Sequence, residues 1–183
     1  NLKLLFDAAH AFACTHYGKH IGRFGDAEVF SFHATKFINT LEGGAVVTND
    51  DELAQKLRLM KNFGFVDYDR IDYLGVNGKM NEISAAVGCT NLDGIDAIIE
   101  HNRGNYAEYK KNLSGVKGLT LVGPDEREKH NFQYVVAEVD SLKAGINRDA
   151  LVTVLHAENI LARKYFSPGC HKMEPYKSYF PHS

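Results

Sequence analysis

The chain has 183 residues, 44% hydrophobic and 24% charged, which is the balance of an ordinary globular protein with enough length for a real core. Its net charge of −2 gives no electrostatic case for nucleic acid or an anionic membrane. The three cysteines, Cys14, Cys89 and Cys170, are widely spaced and odd in number, which argues against a disulfide framework and fits a reducing cytoplasm. No apolar run approaches the length of a membrane span, and no CxxC spacing points to a metal.

In chain order, Leu2-Lys3-Leu4-Leu5-Phe6 reads as a buried strand that ends in Asp7-Ala8-Ala9-His10-Ala11. His16 to Asp26 holds three glycines, Gly18, Gly22 and Gly25, and is a turn-rich connection; its spacing is not that of a dinucleotide loop. Val29-Phe30-Ser31-Phe32 is a second buried strand, followed by the polar turn His33-Ala34-Thr35 and a single lysine, Lys36. Gly43-Gly44 breaks the chain before a third apolar run, Ala45-Val46-Val47. A helix follows with Asn49 as its expected N-cap, Leu53, Leu57 and Met60 on its core face and its end near Phe63-Gly64. Asp67 to Gly78 reads as a loop.

Met80 to about Leu113 is a long helical region with Ile83, Val87, Ile95 and Ile98/Ile99 marking the buried side, weakened or bent at Gly88 and Gly94. Leu119–Val122 and Phe132–Val139 read as strands around a charged loop at Asp125–Lys129. Arg148–Ile160 reads as a helix capped by Asn147, with Leu151, Leu155 and Ala157 toward the core. The last stretch, Leu161 to Pro181, is rich in aromatic residues.

Two strand ends carry chemistry. In open α/β sheets, ligands bind at the carboxyl ends of strands. Asp7 and Lys36 are expected there together, a carboxylate and an amine. Pyridoxal phosphate needs that pair: the amine holds its aldehyde as a Schiff base, and the carboxylate keeps the pyridine nitrogen protonated.

Three blocks, DAAHAFA from Asp7, SFHATKFINTLEGGAVVTND from Ser31 and VNGKMNEISAAVG from Val76, resemble in order the DegT/DnrJ/EryC1/StrS family of sugar-nucleotide aminotransferases. The resemblance runs from about Leu2 to Phe180. It implies an α/β fold: the large domain of a fold type I pyridoxal-phosphate transferase with a mainly parallel sheet, over residues 1–110, and a small α/β C-terminal domain, incomplete, over 111–183. Family members are longer, so the chain is expected to be a fragment lacking the N-terminal half, with its phosphate-gripping Gly-Thr turn, and the last helix.

The resemblance also implies site roles. Lys36 is the catalytic lysine; Asp7 binds the pyridine nitrogen; His10 lies near the cofactor's phenolic oxygen; Ser31 matches the phosphate-binding serine. Asn77 would reach the partner subunit's cofactor phosphate in a homodimer with shared active sites. Lys164, Tyr165 and His171 would line the substrate mouth, while His33, Thr35 and Glu42 are weaker candidates. The implied activity is transamination of a nucleotide-linked keto-deoxy sugar, of the dTDP-4-keto-6-deoxyglucose type, with L-glutamate as amino donor, in amino-sugar and polysaccharide biosynthesis. Because position 36 is lysine rather than histidine, the resemblance favours a transaminase over the family's dehydratases. The alternative is a non-catalytic dimerisation or regulatory relative that keeps the fold.

Overall fold

The computed structural model describes residues 2–181; Asn1, His182 and Ser183 lie outside the described residues. The fold is mixed α/β and divides into two compact units. The first holds the residues up to Asn112 together with Gly123–Val135; the second holds Leu113–Val122 and the residues from Val136 on.

In the first unit, β1 (Leu5–Asp7), β4 (Ala27–Ser31) and β5 (Gly44–Val47) form a three-stranded sheet in the order β1-β4-β5. β1 pairs with β4 in parallel, Asp7 opposite Val29, and β4 pairs with β5 antiparallel, Ser31 opposite Gly44. Leu2, Leu4 and Leu5 are exposed, against the expectation of a buried strand, because β1 has β4 on one side only among the described residues. Ala27 and Phe30 of β4 are buried, with Ala8 and Ile38 from the loops that follow β1 and β4. Phe12 packs edge-on against Phe30 and Phe32, with ring centroids 5.5 and 5.4 Å apart.

The turn-rich stretch between β1 and β4 contains a short hairpin, β2 (Thr15–His16) with β3 (Lys19–His20). Its organising group is Glu28, which the sequence reading passed over. Glu28 lies inside β4, is 1% exposed, and its carboxylate accepts from the backbone N–H of Gly22, at 2.8 Å, and of Phe24. A buried carboxylate is tolerated only where donors surround it, and a glycine-rich turn with free N–H groups supplies them.

Helix α1 runs Asp51–Met60. Its N-cap is Asp50, not Asn49: the Asp50 carboxylate accepts from Leu53 N at 3.0 Å, and Asp50 N in turn donates to Thr48 Oγ1 at 3.1 Å. A carboxylate at this position also complements the helix dipole, which an amide does not. The stretch expected as one loop from Asp67 contains a hairpin, β6 (Phe65–Asp67) with β7 (Arg70–Ile71), whose second strand carries a two-pronged Arg70–Asp72 ion pair.

The long helical region is two helices, α2 (Glu82–Asp93) and α3 (Ile95–Asn112), broken at Gly94 as its poor helix propensity predicts. The buried stripe of α2 is Ser84 and Gly88, one turn apart, rather than the expected Ile83, which is 73% exposed. The reason is close approach. A Cβ on Gly88 would stand 2.7 Å from Thr40 Cγ2, so a small residue lets α2 lie against the loop that follows Lys36. Asn91 Nδ2 fastens the same contact by donating to Asn39 O at 2.8 Å.

In the second unit, β8 (Leu119–Leu121) pairs antiparallel with β9 (Ala137–Val139). The expected strand from Phe132 therefore starts five residues late, because Asn131 to Tyr134 are engaged in the first unit instead. A short turn of helix, α4 (Ser141–Ala144), and α5 (Arg148–Ala157) follow. Asn147 caps α5, accepting from Ala150 N at 2.8 Å, and Leu151 and Leu155 are half-buried while Ala157 is exposed. A 3-10 turn at Cys170–Lys172 and α6 (Tyr176–Tyr179) complete the unit.

Replacing the buried carboxylate by a methyl group, Glu28→Ala, strands two backbone donors. The expected loss is about 2–3 kcal/mol of stability, read as a lower urea midpoint at unchanged slope. An unchanged midpoint would show that the glycine-rich turn holds without Glu28.

Candidate active site

The parallel pairing of β1 with β4 brings the loops after Asp7 and after Ser31 out at the same end of the sheet. Lys36 Nζ and His10 Nε2 meet there at 2.7 Å, part-buried, though they are 26 positions apart in the chain. With Nε2 taken by Lys36, the hydrogen-bond pattern assigns the neutral ring's proton to Nδ1. The Tyr134 ring stands edge-on to His10, centroids 5.1 Å apart at 80°. Burial, and then the Lys36 charge, push the His10 imidazole below its ordinary range, while Asp7 pulls it the other way. His10 therefore lies in the field of both the amine and the carboxylate.

Asp7 is placed by the end of β1, where its Oδ1 accepts from Ala9 N at 3.0 Å. Ser31, the last residue of β4, is half-exposed, and its Oγ accepts from His33 N at 3.4 Å. The lysine loop is held from inside. Lys36 N donates to His33 O at 2.9 Å, and Thr40, 5% exposed, donates to Glu42 O at 2.8 Å. His33 bonds Thr35 Oγ1 at 2.8 Å and faces Glu42 at 3.4 Å, so these three side chains shape the loop among themselves.

The segment Gly123–Val135 closes over this region, and sequence reading missed it. Asn131, 5% exposed, donates through Nδ2 to the carbonyls of His10 and Phe12, each at 2.9 Å. Gln133 Oε1 accepts from Phe37 N at 3.4 Å, while its Nε2 is buried with no hydrogen-bond partner among the described residues. The available signal was an amide at alternate positions, Asn131 and Gln133, at the start of an apolar run.

Asn77 forms a β-bridge with Asn62, and its Oδ1 accepts from Lys79 Nζ at 2.7 Å; no hydrogen bond joins it to His10 or Lys36 among the described residues. Lys164, Tyr165 and His171 belong to the second unit. Lys164 faces Asp149 at 3.8 Å, Tyr165 receives a hydrogen bond from Arg163 Nη1 at 3.2 Å and packs on Phe166, and His171 sits exposed in the 3-10 turn. Among the described residues no group of three or more His, Cys, Asp or Glu side chains is placed to hold a metal, and no helix is long and apolar enough to cross a membrane.

Residues 1–183 match the model of the DegT/DnrJ/EryC1/StrS aminotransferase family. The chain belongs to that family. It is 39% identical over 168 residues to a dTDP-4-amino-4,6-dideoxy-D-glucose transaminase of Shigella dysenteriae, covering 92% of this chain and 46% of the relative. A crystal structure of DesI in the presence of its TDP-sugar product superposes with a TM-score of 0.90 at 48% identity, covering 96% of this chain and 45% of that one. Helicobacter pylori PseC, an aminotransferase involved in the biosynthesis of pseudoaminic acid, superposes with a TM-score of 0.89 at 28% identity, covering all of this chain and 50% of that one. The chain spans about half the length of the curated relatives it matches.

Aminotransferases of this family use pyridoxal phosphate. The residues present fit it. An amine and a carboxylate flank one histidine at the strand ends, and the orphaned Gln133 Nε2, on a side chain that also binds the residue after Lys36, lacks an acceptor that a bound group would supply.

The depressed His10 pKa fixes a sign. The unfolded imidazole, with its ordinary value of about 6.5, binds a proton before the folded one does. Stability tied to His10 is thus complete above that value and is lost as pH falls through the lower folded value. His10→Gln should lose less stability than the native chain between neutral and mildly acid pH, as compared by urea midpoints. Equal losses would place His10's ring in a solvent-like setting.

Proposed function

We propose that the protein of which this chain is part transfers an amino group from L-glutamate to a nucleotide-linked keto-deoxy sugar, of the dTDP-4-keto-6-deoxyglucose type, with pyridoxal phosphate as cofactor. The observation that carries the reading is the Lys36–His10 contact beside Asp7 at the end of β1 and β4. The transaminase of Shigella dysenteriae and DesI with its TDP-sugar product support the substrate class.

Bound at this site, pyridoxal phosphate supplies an aldehyde and an electron-withdrawing ring. Lys36 would hold it through Nζ, an amine that the amino donor's own nitrogen would set free. The freed Nζ takes the proton from the donor's α-carbon and, in the second half of the reaction, delivers one to the sugar carbon that receives the nitrogen. Asp7 would pair with the ring nitrogen and keep it protonated, Ser31 would bind the phosphate, and His10, 2.7 Å from Nζ, would hold that amine in line while it is free. Lys164, Tyr165 and His171 are the proposed sugar-nucleotide contacts, through cation–pyrophosphate and stacking chemistry.

A homodimer with shared sites, with Asn77 serving the partner's cofactor phosphate, completes the reading. Tyr68, Leu74, Val76 and Ile83 stand widely exposed along the β6–β7 hairpin, the loop after it and α2, a density of apolar surface that suits an interface.

The deciding experiment adds pyridoxal phosphate to the chain, reduces with borohydride and maps the peptides by mass. A pyridoxyl group on Lys36, absent from Lys36→Arg, is the expected result. Label spread over surface lysines and no loss in Lys36→Arg would overturn the assignment. In the complete protein, Asp7→Asn should keep cofactor binding and lower turnover on the order of 10²-fold, since a charge that stabilises the reacting ring is removed. Unchanged turnover would remove Asp7 from the mechanism.

A further inference from the structure

We propose that Asn131 is a positioning residue for the His10–Lys36 pair, holding the two side chains in register from a segment remote in sequence. The inference rests on Lys36 being the reactive amine of the proposed function, and its geometry lies wholly within the first unit.

The two members of the pair stand on separate loops. His10 is in the loop after β1, and Lys36 is in the loop after β4. A loop backbone drifts unless its polar groups are tied, and a drift of an ångström in a reacting amine is costly. In the loop of His10, two carbonyls are held by one side chain. Asn131 Nδ2 uses both of its hydrogens, one on His10 O and one on Phe12 O, each at 2.9 Å. The other end of the same amide is also occupied, since Asn131 Oδ1 accepts from Gln133 N at 3.0 Å. The amide has all its near partners and one orientation, because a flip would set an oxygen against two carbonyls.

The backbone of Asn131 is fixed in turn. Its carbonyl accepts from Asn102 Nδ2 of α3 at 3.2 Å, and the ring of the following Phe132 packs on Tyr106 of the same helix, centroids 5.6 Å apart. Position therefore passes from a long helix through one buried amide to the backbone of His10.

The same stretch reaches the lysine loop. Two residues on, Gln133 Oε1 accepts from Phe37 N, next to Lys36, and Tyr134 sets its ring edge-on to the His10 imidazole. Asn131, Tyr134 and Gln133 thus touch, in turn, the main chain of one partner, its ring, and the main chain beside the other. The charged groups in reach of His10 are Lys36 and Asp7. The ring's titration reports how close the amine is held, with no cofactor needed.

The test is an NMR titration of the His10 ring in the chain without cofactor, its signal assigned with His10→Gln. In Asn131→Ala the midpoint should rise by about half a pH unit, as the ring gains solvent and moves from the amine. In a Lys36→Ala background, where the amine's share of the depression is already gone, the same substitution should raise it by less. Thr15→Val, which loosens the same segment at Glu128, should leave the His10 midpoint in place. If Asn131→Ala fails to fold, Asn131→Leu fills the volume without the hydrogen bonds and is read in the same way. An unmoved midpoint, an equal rise with and without Lys36, or an equal rise in Thr15→Val overturns the proposal. Failure of pyridoxal phosphate to label Lys36 in the native chain would overturn the enzyme reading instead and leave this titration standing.

Discussion

Everything at the candidate site depends on the parallel pairing of Leu5–Asp7 with Ala27–Val29. Two strands that run the same way finish at the same edge. The loop carrying His10 and the loop carrying Lys36 therefore leave the sheet side by side. Antiparallel pairing would send them to opposite ends and leave the acid and the amine a strand length apart. Parallel pairing needs a long crossover, and here it runs from Ala8 to Asp26. That connection holds the short β2–β3 hairpin and is gathered onto the buried Glu28 carboxylate. β5 then returns antiparallel, with Gly44 lying so near Phe30 O that a side chain there would meet it at 2.7 Å. The lysine loop is thereby pinned at both ends.

The apolar interior of this unit is small: Ala8, Ala27, Phe30, Ile38 and Tyr106 are its fully buried hydrophobic side chains among the described residues. So few large groups cannot by themselves dictate loop positions. Three buried polar side chains do that work. Glu28 gathers the crossover turn, Thr40 closes the lysine loop and admits α2 over Gly88, and Asn131 ties the His10 loop. Each has its hydrogen-bonding capacity met from the main chain, which makes a polar group in a dry setting specific rather than costly. Gln133 Nε2 is the exception among the described residues, on a side chain whose Oε1 accepts from the residue after Lys36.

What was legible in the sequence follows the range of the interactions. Strands β4 and β5, the break at Gly94, the cap at Asn147 and the strand-end placement of Asp7 and Lys36 rest on near neighbours, and the residue pattern shows them. The errors share a cause. Asn49 lost the cap to Asp50 because a carboxylate serves a helix N-terminus better and Thr48 holds it there. Ile83 reads as core by periodicity, yet α2 buries the stripe that fits the lysine loop, and fit there demanded glycine. The run from Phe132 reads as strand by its alternating apolar residues, and the amides Asn131, just before it, and Gln133, within it, mark a segment spent on anchoring.

The chemistry and its support are thus encoded at different distances along the chain. A lysine at a strand end is a local device, written within a few residues of Ser31 and the Gly43-Gly44 turn. Holding that lysine against an imidazole draws on Asn131, 121 positions from His10, and on Gln133, 96 positions from Phe37. The segment that brings them leaves at Val122 and returns at Val136, and Val122 N donates to Val136 O at 2.9 Å, so one strand pair ties both of its ends. A loop with fixed ends loses less freedom when it docks than a free tail would. That saving allows short loops on a three-stranded sheet to be held by a stretch that follows β8, far beyond Lys36 in the chain.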